Sequence, residues 1–168
     1  KLQDYQAKAL MGMARAELYG LKKLGDAEHH AEQALALSAQ SGDRGTLFDA
    51  LDYKAQIQIS RSDLVAAADT LSRAFKVVEE SGDDPRLFYA HLDRADVYQK
   101  LAEQCDYQRA FKPCYEAVEL ARADYQRAGE VARKLGWDGL AREADGFLQR
   151  LEIRRAMIQS QERFHTEL

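Results

Sequence analysis

The sequence is poor in proline and cysteine, and it has no long apolar run. It contains only two prolines, Pro85 and Pro113, and two cysteines, Cys105 and Cys114. No apolar run approaches the roughly 18–20 residues that span a membrane, and no secretory signal is visible. The cysteines are nine positions apart and cannot form a CxxC redox or zinc pair. We therefore predict a cytoplasmic protein with reduced thiols and no membrane association.

Positive charge and catalytic motifs are also scarce. With 24 Lys and Arg against 28 Asp and Glu, the net charge is −4, which argues against nucleic acid as a ligand. No HExxH, GxSxG or GxxxxGK[ST] motif occurs. His29 and His30 would point about 100° apart on a helix and cannot share a metal ion. Cys105 or Cys114 with His91 would lack an orienting third group. We predict no enzyme, no catalytic residue, no metal and no cofactor.

What the sequence does contain is a repeat. Residues 32–43 read EQALALSAQSGD, and residues 72–83, forty positions later, read SRAFKVVEESGD. In both stretches Ala precedes a large apolar residue, and both close on Ser-Gly-Asp. Self-similarity at a period of about 20–50 residues indicates a repeat architecture. We predict that residues 44–83 form one repeat, made of two antiparallel helices.

Apolar residues spaced three and four apart extend this pattern over the whole chain. They predict a single all-α domain over 1–168, with helix pairs at about 2–41, 44–81 and 85–135 and a final helix at about 138–165. Gly25 is expected to end the first helix and Asp26 to cap the second. Asp106 is expected to cap an overlong helix that continues to residue 135; Pro113 is expected to bend this helix, and Gly129 allows a kink in it. Because the chain opens on Lys1 and its last residues are polar, we expect it to be part of a longer protein.

Two segments carry a family resemblance. Residues 62–75, SDLVAAADTLSRAF, and residues 105–118, CDYQRAFKPCYEAV, resemble the second-helix signature of the tetratricopeptide repeat (TPR) family, in its variant of about 40 residues. The resemblance covers roughly residues 10–140. Lys54 and Arg94 depart from it, because they stand where the family has apolar residues, and His30 stands where a small residue is usual. Another helical-pair solenoid is the alternative.

The resemblance implies a right-handed α-α superhelix, or TPR-like solenoid, of about seven antiparallel helices. The concave face of such a superhelix is lined by the first helix of each pair, and in this family it holds an extended peptide or a partner's helix. The positions implied to face the groove are Arg15, Tyr19, Lys22, Asp49, Asp52, Gln56, Tyr89, Asp96 and Lys100. Their mixed charge and two tyrosines suit a peptide with basic and apolar groups. The alternative for each position is an ordinary solvated surface.

The predicted function is therefore non-catalytic: a module that binds a protein or peptide partner, as the regulatory or sensory region of a larger intracellular signalling protein. One alternative is a homodimer formed through the C-terminal helix, where apolar positions recur every seven residues; Arg155 and Glu162 among the companion positions weaken that heptad pattern. The positions of the C-terminal helix that recur every seven residues are Ala144, Leu151, Ile158 and His165. Another alternative is a small-molecule sensor around Tyr19, Tyr53 and Tyr89.

Overall fold

The computed structural model describes residues 2–105 and 111–166, with side chains up to residue 163. The described residues form helices joined by short turns, and they contain no strand. One π-helix, Ala16–Leu21, directly follows the first α-helix. The α-helices are α1 (Leu2–Arg15), α2 (Leu24–Ser41), α3 (Arg44–Ser60), α4 (Leu64–Glu79), α5 (Asp84–Gln104), α6 (Phe111–Lys134) and α7 (Asp138–Thr166). The all-α prediction is confirmed for these residues.

The chain divides into two compact units, Lys1–Arg86 and Leu87–Leu168. In unit 1, α3 packs against α1, α2 and α4. Its buried side chains include Phe48, Leu51 and Ile57, which point in different directions around the helix. This explains why the α3 sequence is apolar on two sides, since a helix packed between neighbours buries more than one face.

The repeated Ser-Gly-Asp phrase makes the same turn at both of its positions. Gly42 and Gly82 have φ angles of 74° and 66°, in the left-handed region where glycine carries no steric penalty. The following Asp43 caps α3 by accepting a hydrogen bond from the Thr46 backbone N–H at 3.1 Å. Asp83 accepts from the Arg86 backbone N–H at 3.2 Å in the second copy. Each phrase therefore ends one helix and starts the next.

The first turn differs from the prediction. The left-handed residue that reverses the chain is Lys22, with a φ of 54°, and α2 already begins at Leu24. Gly25 and Asp26 lie inside the first turn of α2, so the prediction that Gly25 ends a helix and Asp26 caps the next was wrong. Asp26 still contributes there, because a carboxylate in the first turn interacts favourably with the helix dipole.

Unit 2 is built on the long helices α6 and α7. Tyr125 and Ala121 of α6 pack with Leu151 of α7, in a core that α5 completes with Ala95. α6 continues without a break through Gly129, which is buried where α7 brings Ala144 close. The helix is therefore not interrupted at Gly129, where the sequence allowed a kink. Pro113 is the third residue of the described helix, and the predicted cap at residue 106 lies outside the described residues.

The two cysteines of unit 2 form a disulfide, so the prediction of reduced thiols was wrong. Cys105 directly follows α5, and Cys114 is buried in the first turns of α6. Their Cα atoms are 5.4 Å apart, a distance that a disulfide spans. The sequence spacing excluded a CxxC motif, but it did not reveal that the chain returns to bring the two residues together.

Candidate functional site

Five of the six predicted groove positions of unit 1 make up what we call the tyrosine face. They are Tyr19, Asp52 and Gln56, which are linked by hydrogen bonds, and Arg15 and Lys22, which lie four residues before and three after Tyr19. The Tyr19 hydroxyl donates a hydrogen bond to Gln56 Oε1. Gln56 Nε2 in turn donates to Asp52 Oδ2 at 3.0 Å. The structure therefore links the π-helix to α3 through three side chains that the sequence had singled out.

The π-helix places Tyr19 on the surface. Leu18, the residue before it, is buried against Ala14 and Ile57. Glu17 is largely buried as well, and its Oε2 atom lies 2.8 Å from His30 Nδ1 of α2. With these two residues held inside, Tyr19 is left 60% exposed. π-helical turns are frequent at functional sites.

The charges of the tyrosine face are mixed. Arg15 and Lys22 are exposed, and neither forms an ion pair with another described residue. The half-buried Asp52 supplies a carboxylate. An exposed aromatic ring, with two cations three and four residues away in the chain and a carboxylate linked to it through Gln56, offers contacts for apolar groups and for charges of either sign on a bound peptide. The arrangement has no nucleophile paired with a base.

Asp49, another predicted groove residue, has a structural role. Its two carboxylate oxygens accept hydrogen bonds from Arg86 Nε at 3.0 Å and Nη2 at 3.2 Å. Arg86 Nη1 also donates to Asp83 Oδ2 at 2.7 Å, and this hydrogen bond lowers the pKa of Asp83. Asp49 thus helps to fix the start of α5 within unit 1.

The remaining predicted residues belong to unit 2. Tyr89 is 47% exposed, and its ring centroid lies 6.4 Å from that of Trp137. Asp96 accepts a hydrogen bond from the buried Tyr125 hydroxyl. Lys100 is exposed and forms no ion pair with another described residue. The Asp96 carboxylate therefore binds a core side chain, whereas Tyr89 and Lys100 are accessible to a ligand.

A buried ionic cluster in unit 2 went unpredicted. Asp124 of α6 accepts hydrogen bonds from His91 Nδ1 at 2.8 Å and from Arg94 Nε and Nη2, both at 2.7 Å. The Asp124 side chain is 6% exposed. Burial alone would raise the pKa of Asp124, but the hydrogen bonds from His91 and Arg94 outweigh burial and hold the pKa below its usual value. The cluster joins α5 to α6.

One signal in the sequence could have revealed this cluster. Arg94 is a charged residue at a position where the TPR family, which the sequence resembles, has an apolar one. A charged side chain on an interior helical position needs a partner of opposite charge. Asp124 is such a partner on the next helix, 30 residues later.

The structure also bears on the alternatives to peptide binding. Tyr53 packs against the Met11, Ala34 and Ala50 cluster, so it belongs to the core of unit 1. Ala144, Leu151 and Ile158 are buried within unit 2, which leaves that stripe of α7 covered. His165 lies outside the described side chains. The disulfide leaves no free thiol to pair with His91.

Neither a metal site nor a membrane span occurs among the described residues. They contain no group of three or more His, Cys, Asp or Glu side chains placed to hold a metal ion. None of the described helices combines the length and apolar character that a membrane span requires.

Comparison with known proteins adds little. No protein-family model matches the chain. None of the curated proteins matches it either. Among solved structures, the chain is similar to one titled "DHF79 filament", with 16% identity over 94% of this chain and 95% of that one, and a TM-score of 0.46. A likeness of that size bears on neither the fold nor the function.

Proposed function

We propose that this chain is a non-catalytic, TPR-like module that binds a protein or peptide partner through the tyrosine face. The observation that carries the proposal is the hydrogen-bonded set Tyr19, Gln56 and Asp52, in which the ring of Tyr19 is exposed. Arg15 and Lys22, four residues before and three after Tyr19, are exposed and pair with no other described residue. The hydrogen bond to Gln56 restrains the hydroxyl end of the Tyr19 side chain. A ring that is already ordered loses less conformational entropy when a ligand binds.

The composition of the face indicates the chemistry of the ligand. Tyrosine and arginine are enriched among residues that dominate binding energies, because they offer apolar area together with a polar group. Asp52 would attract a basic group of the peptide, and the ring of Tyr19 would contact an apolar side chain. Such a module is the regulatory or sensory part of a larger signalling protein.

The test compares two double variants that are matched in residue type and spacing. Tyr19→Ala with Lys22→Glu alters the tyrosine face, and Tyr5→Ala with Lys8→Glu makes the same changes on exposed residues of α1. The wild-type chain is used to select ligands from a library of random peptides displayed on phage. We expect the selected peptides to lose binding to the first variant and to keep binding to the second.

Other outcomes would count against the proposal. Peptides that bind the Tyr19 variant as well as the wild type would place binding elsewhere on the chain. Failure to select any peptide would contradict peptide binding itself. Unchanged helical circular dichroism and melting of both variants are needed to read the result, and the exposure of all four residues makes that the expected outcome.

Self-association through α7 is a second candidate function, with its own observation. Ile153 and Met157 are 65% and 57% exposed and lie one turn apart on α7, away from its buried stripe. A second copy could cover these two side chains. Light scattering of wild type and Ile153→Glu across a range of concentrations tests this: a concentration-dependent mass in the wild type alone supports it, and a monomer throughout refutes it.

The cytoplasmic location remains a prediction, and the disulfide gives a direct way to test it. Disulfides are rare in the cytosol of most organisms and persist in oxidising compartments. Cells are lysed into denaturant with an alkylating reagent, and the chain is analysed by mass spectrometry. Two alkylated cysteines would support the cytoplasmic location, and an intact disulfide would contradict it.

A further inference from the structure

A second surface of unit 1, separate from the tyrosine face, forms an open groove of about 570 Å³. α2 and α4 form its walls, and α3 forms its floor. We call it the basic groove. Its apolar lining comes from all three helices, and its charged lining consists of Glu32 and three basic side chains. The lining residues are Glu32, Leu35, Ala36, Ala39, Leu47, Leu51, Lys54, Arg73, Lys76 and Val77.

The basic side chains outnumber the acidic ones in this groove. Lys54 Nζ lies 3.5 Å from Glu32 Oε1, so that pair is neutral overall. Arg73 and Lys76 are exposed on α4, and neither forms an ion pair with another described residue. A positive groove on a chain whose net charge is −4 is a local feature, and the composition as a whole does not predict it.

The internal repeat shows that the helical packing does not require these charges. Forty positions before Arg73, Lys76 and Val77, α2 carries Gln33, Ala36 and Leu37. These three residues line the equivalent groove against α1, together with Gln6, Ala9, Leu10 and Met13. That first groove has no charged lining residue. The apolar position is thus kept in both copies, and the cations occur in only one.

The spacing of the cations indicates what the groove binds. Arg73 and Lys76 are three residues apart, so they project from the same side of α4 one helical turn apart. Carboxylates one turn apart on an amphipathic helix present the same spacing. Such a helix would place its apolar side chains on Leu35, Leu47 and Val77 and its carboxylates beside the two cations.

We propose that the basic groove binds an amphipathic helix of a partner protein, one that carries Asp or Glu beside its apolar stripe. This site is additional to the tyrosine face and shares no residue with it. The two surfaces lie on opposite sides of α3, because Leu47 and Gln56 are nine residues apart and about 180° apart around the helix. The module would then contact two polypeptides, or two segments of one.

The probe is a set of fluorescein-labelled synthetic helices of about 18 residues, long enough to form a helix in water. Each carries leucines at i, i+3, i+4 and i+7 with glutamates flanking them, and the spacing of the glutamates varies across the set. A counterpart of each peptide has lysine in place of every glutamate. Binding to the full chain is followed by fluorescence anisotropy at low and at high salt.

Two variants with the same change in net charge separate the two surfaces. Arg73→Glu with Lys76→Glu reverses the charge of the basic groove, and Arg15→Glu with Lys22→Glu reverses the cations of the tyrosine face. We expect the first variant to weaken binding of the glutamate peptides about tenfold or more at low salt, and the second to leave it within about twofold. Ala39→Gln, which fills part of the groove, should also weaken binding.

Each outcome decides the proposal. Selective binding of glutamate peptides, weakened by salt and by the Arg73 and Lys76 variant alone, supports it. Equal binding of the lysine counterparts, equal loss in both variants, or no binding of any glutamate peptide at about 0.1 mM would overturn it. None of these results depends on the phage selection, so the basic groove and the tyrosine face can fail independently.

Discussion

The buried carboxylate of Asp124 should contribute more to the free energy of unfolding of unit 2 than an exposed ion pair does. The substitution Asp124→Asn tests this. The substitution keeps the side-chain volume and one acceptor oxygen but removes the negative charge. Asp124 accepts three hydrogen bonds from the basic side chains of His91 and Arg94. Hydrogen bonds to charged groups contribute about 1.5–3 kcal/mol each, and removing one partner of a buried ion pair costs about 3–5 kcal/mol.

Because Asn retains one acceptor, we expect Asp124→Asn to lower the free energy of unfolding by about 3 kcal/mol, at the low end of that range. Urea denaturation at pH 7, followed by circular dichroism, measures it. Asp145→Asn is the matched control in the same unit. The Asp145 carboxylate pairs with Arg133 at 2.6 Å, but both side chains are about half exposed, so its loss should cost less than about 1 kcal/mol.

The pH dependence provides a second measurement on the same pair of proteins. The pKa of Asp124 is lowered in the folded state, so its carboxylate stabilises the fold above the unfolded-state pKa of about 3.9. That stabilisation is lost as the pH falls through the lowered pKa. The difference between wild type and Asp124→Asn should therefore be constant near neutral pH and shrink below about pH 4. A loss under about 1 kcal/mol, or one that does not change with pH, would refute this reasoning.

Three further predictions concern the core of unit 2. Replacing Cys105 and Cys114 by Ser should lower the free energy of unfolding by about 2–3 kcal/mol, because the disulfide closes a short loop; adding reductant to the wild type should give the same loss in urea denaturation. Leu151→Ala should cost about 2–5 kcal/mol in the same assay, whereas Ile153→Ala, two residues away but exposed, should cost under about 1 kcal/mol. Tyr125→Phe removes a buried hydroxyl that donates to Asp96 and should cost about 1 kcal/mol; no change would mean that this hydrogen bond contributes nothing net.

The helix boundaries could be predicted because their signals are local. The caps at Asp43, Asp63 and Asp83 each depend on a carboxylate placed three residues before the backbone N–H that it binds. A capping hydrogen bond that spans only three residues can be predicted from the sequence alone. The helix bounds therefore agree with the prediction to within a few residues wherever the chain is described, except at the first turn.

Two features were not predicted, the Asp124 cluster and the π-helix. The first depends on contacts between residues far apart in the chain, and the second on one residue more than a regular helical turn contains. Asp124 meets Arg94 across 30 positions; the charge of Arg94 at an interior position indicates that it needs a partner, but nothing near either residue in the sequence identifies which one. The π-helix has no known local pattern here, since Ala16–Leu21 reads as an ordinary stretch of helix. The groove positions implied by the TPR resemblance included Tyr19, Asp52 and Gln56, which the structure links by hydrogen bonds. They also included Asp49 and Asp96, whose carboxylates hold the fold together.

The π-helix also makes the tyrosine face adjustable by a change in chain length. A π-helical turn contains one residue more than the α-helix around it needs. Deleting Gly20, whose surroundings are open, would allow α1 to continue as a regular helix and would rotate the residues after it by about 100°. Met11 and Ala14 of the core precede the deletion and would keep their places. Ala27 and Ala31 of the same core follow the deletion, so unit 1 keeps its packing only where the turn before α2 takes up the shift. In that case a single deletion redirects Lys22, and so alters which ligands the face accepts.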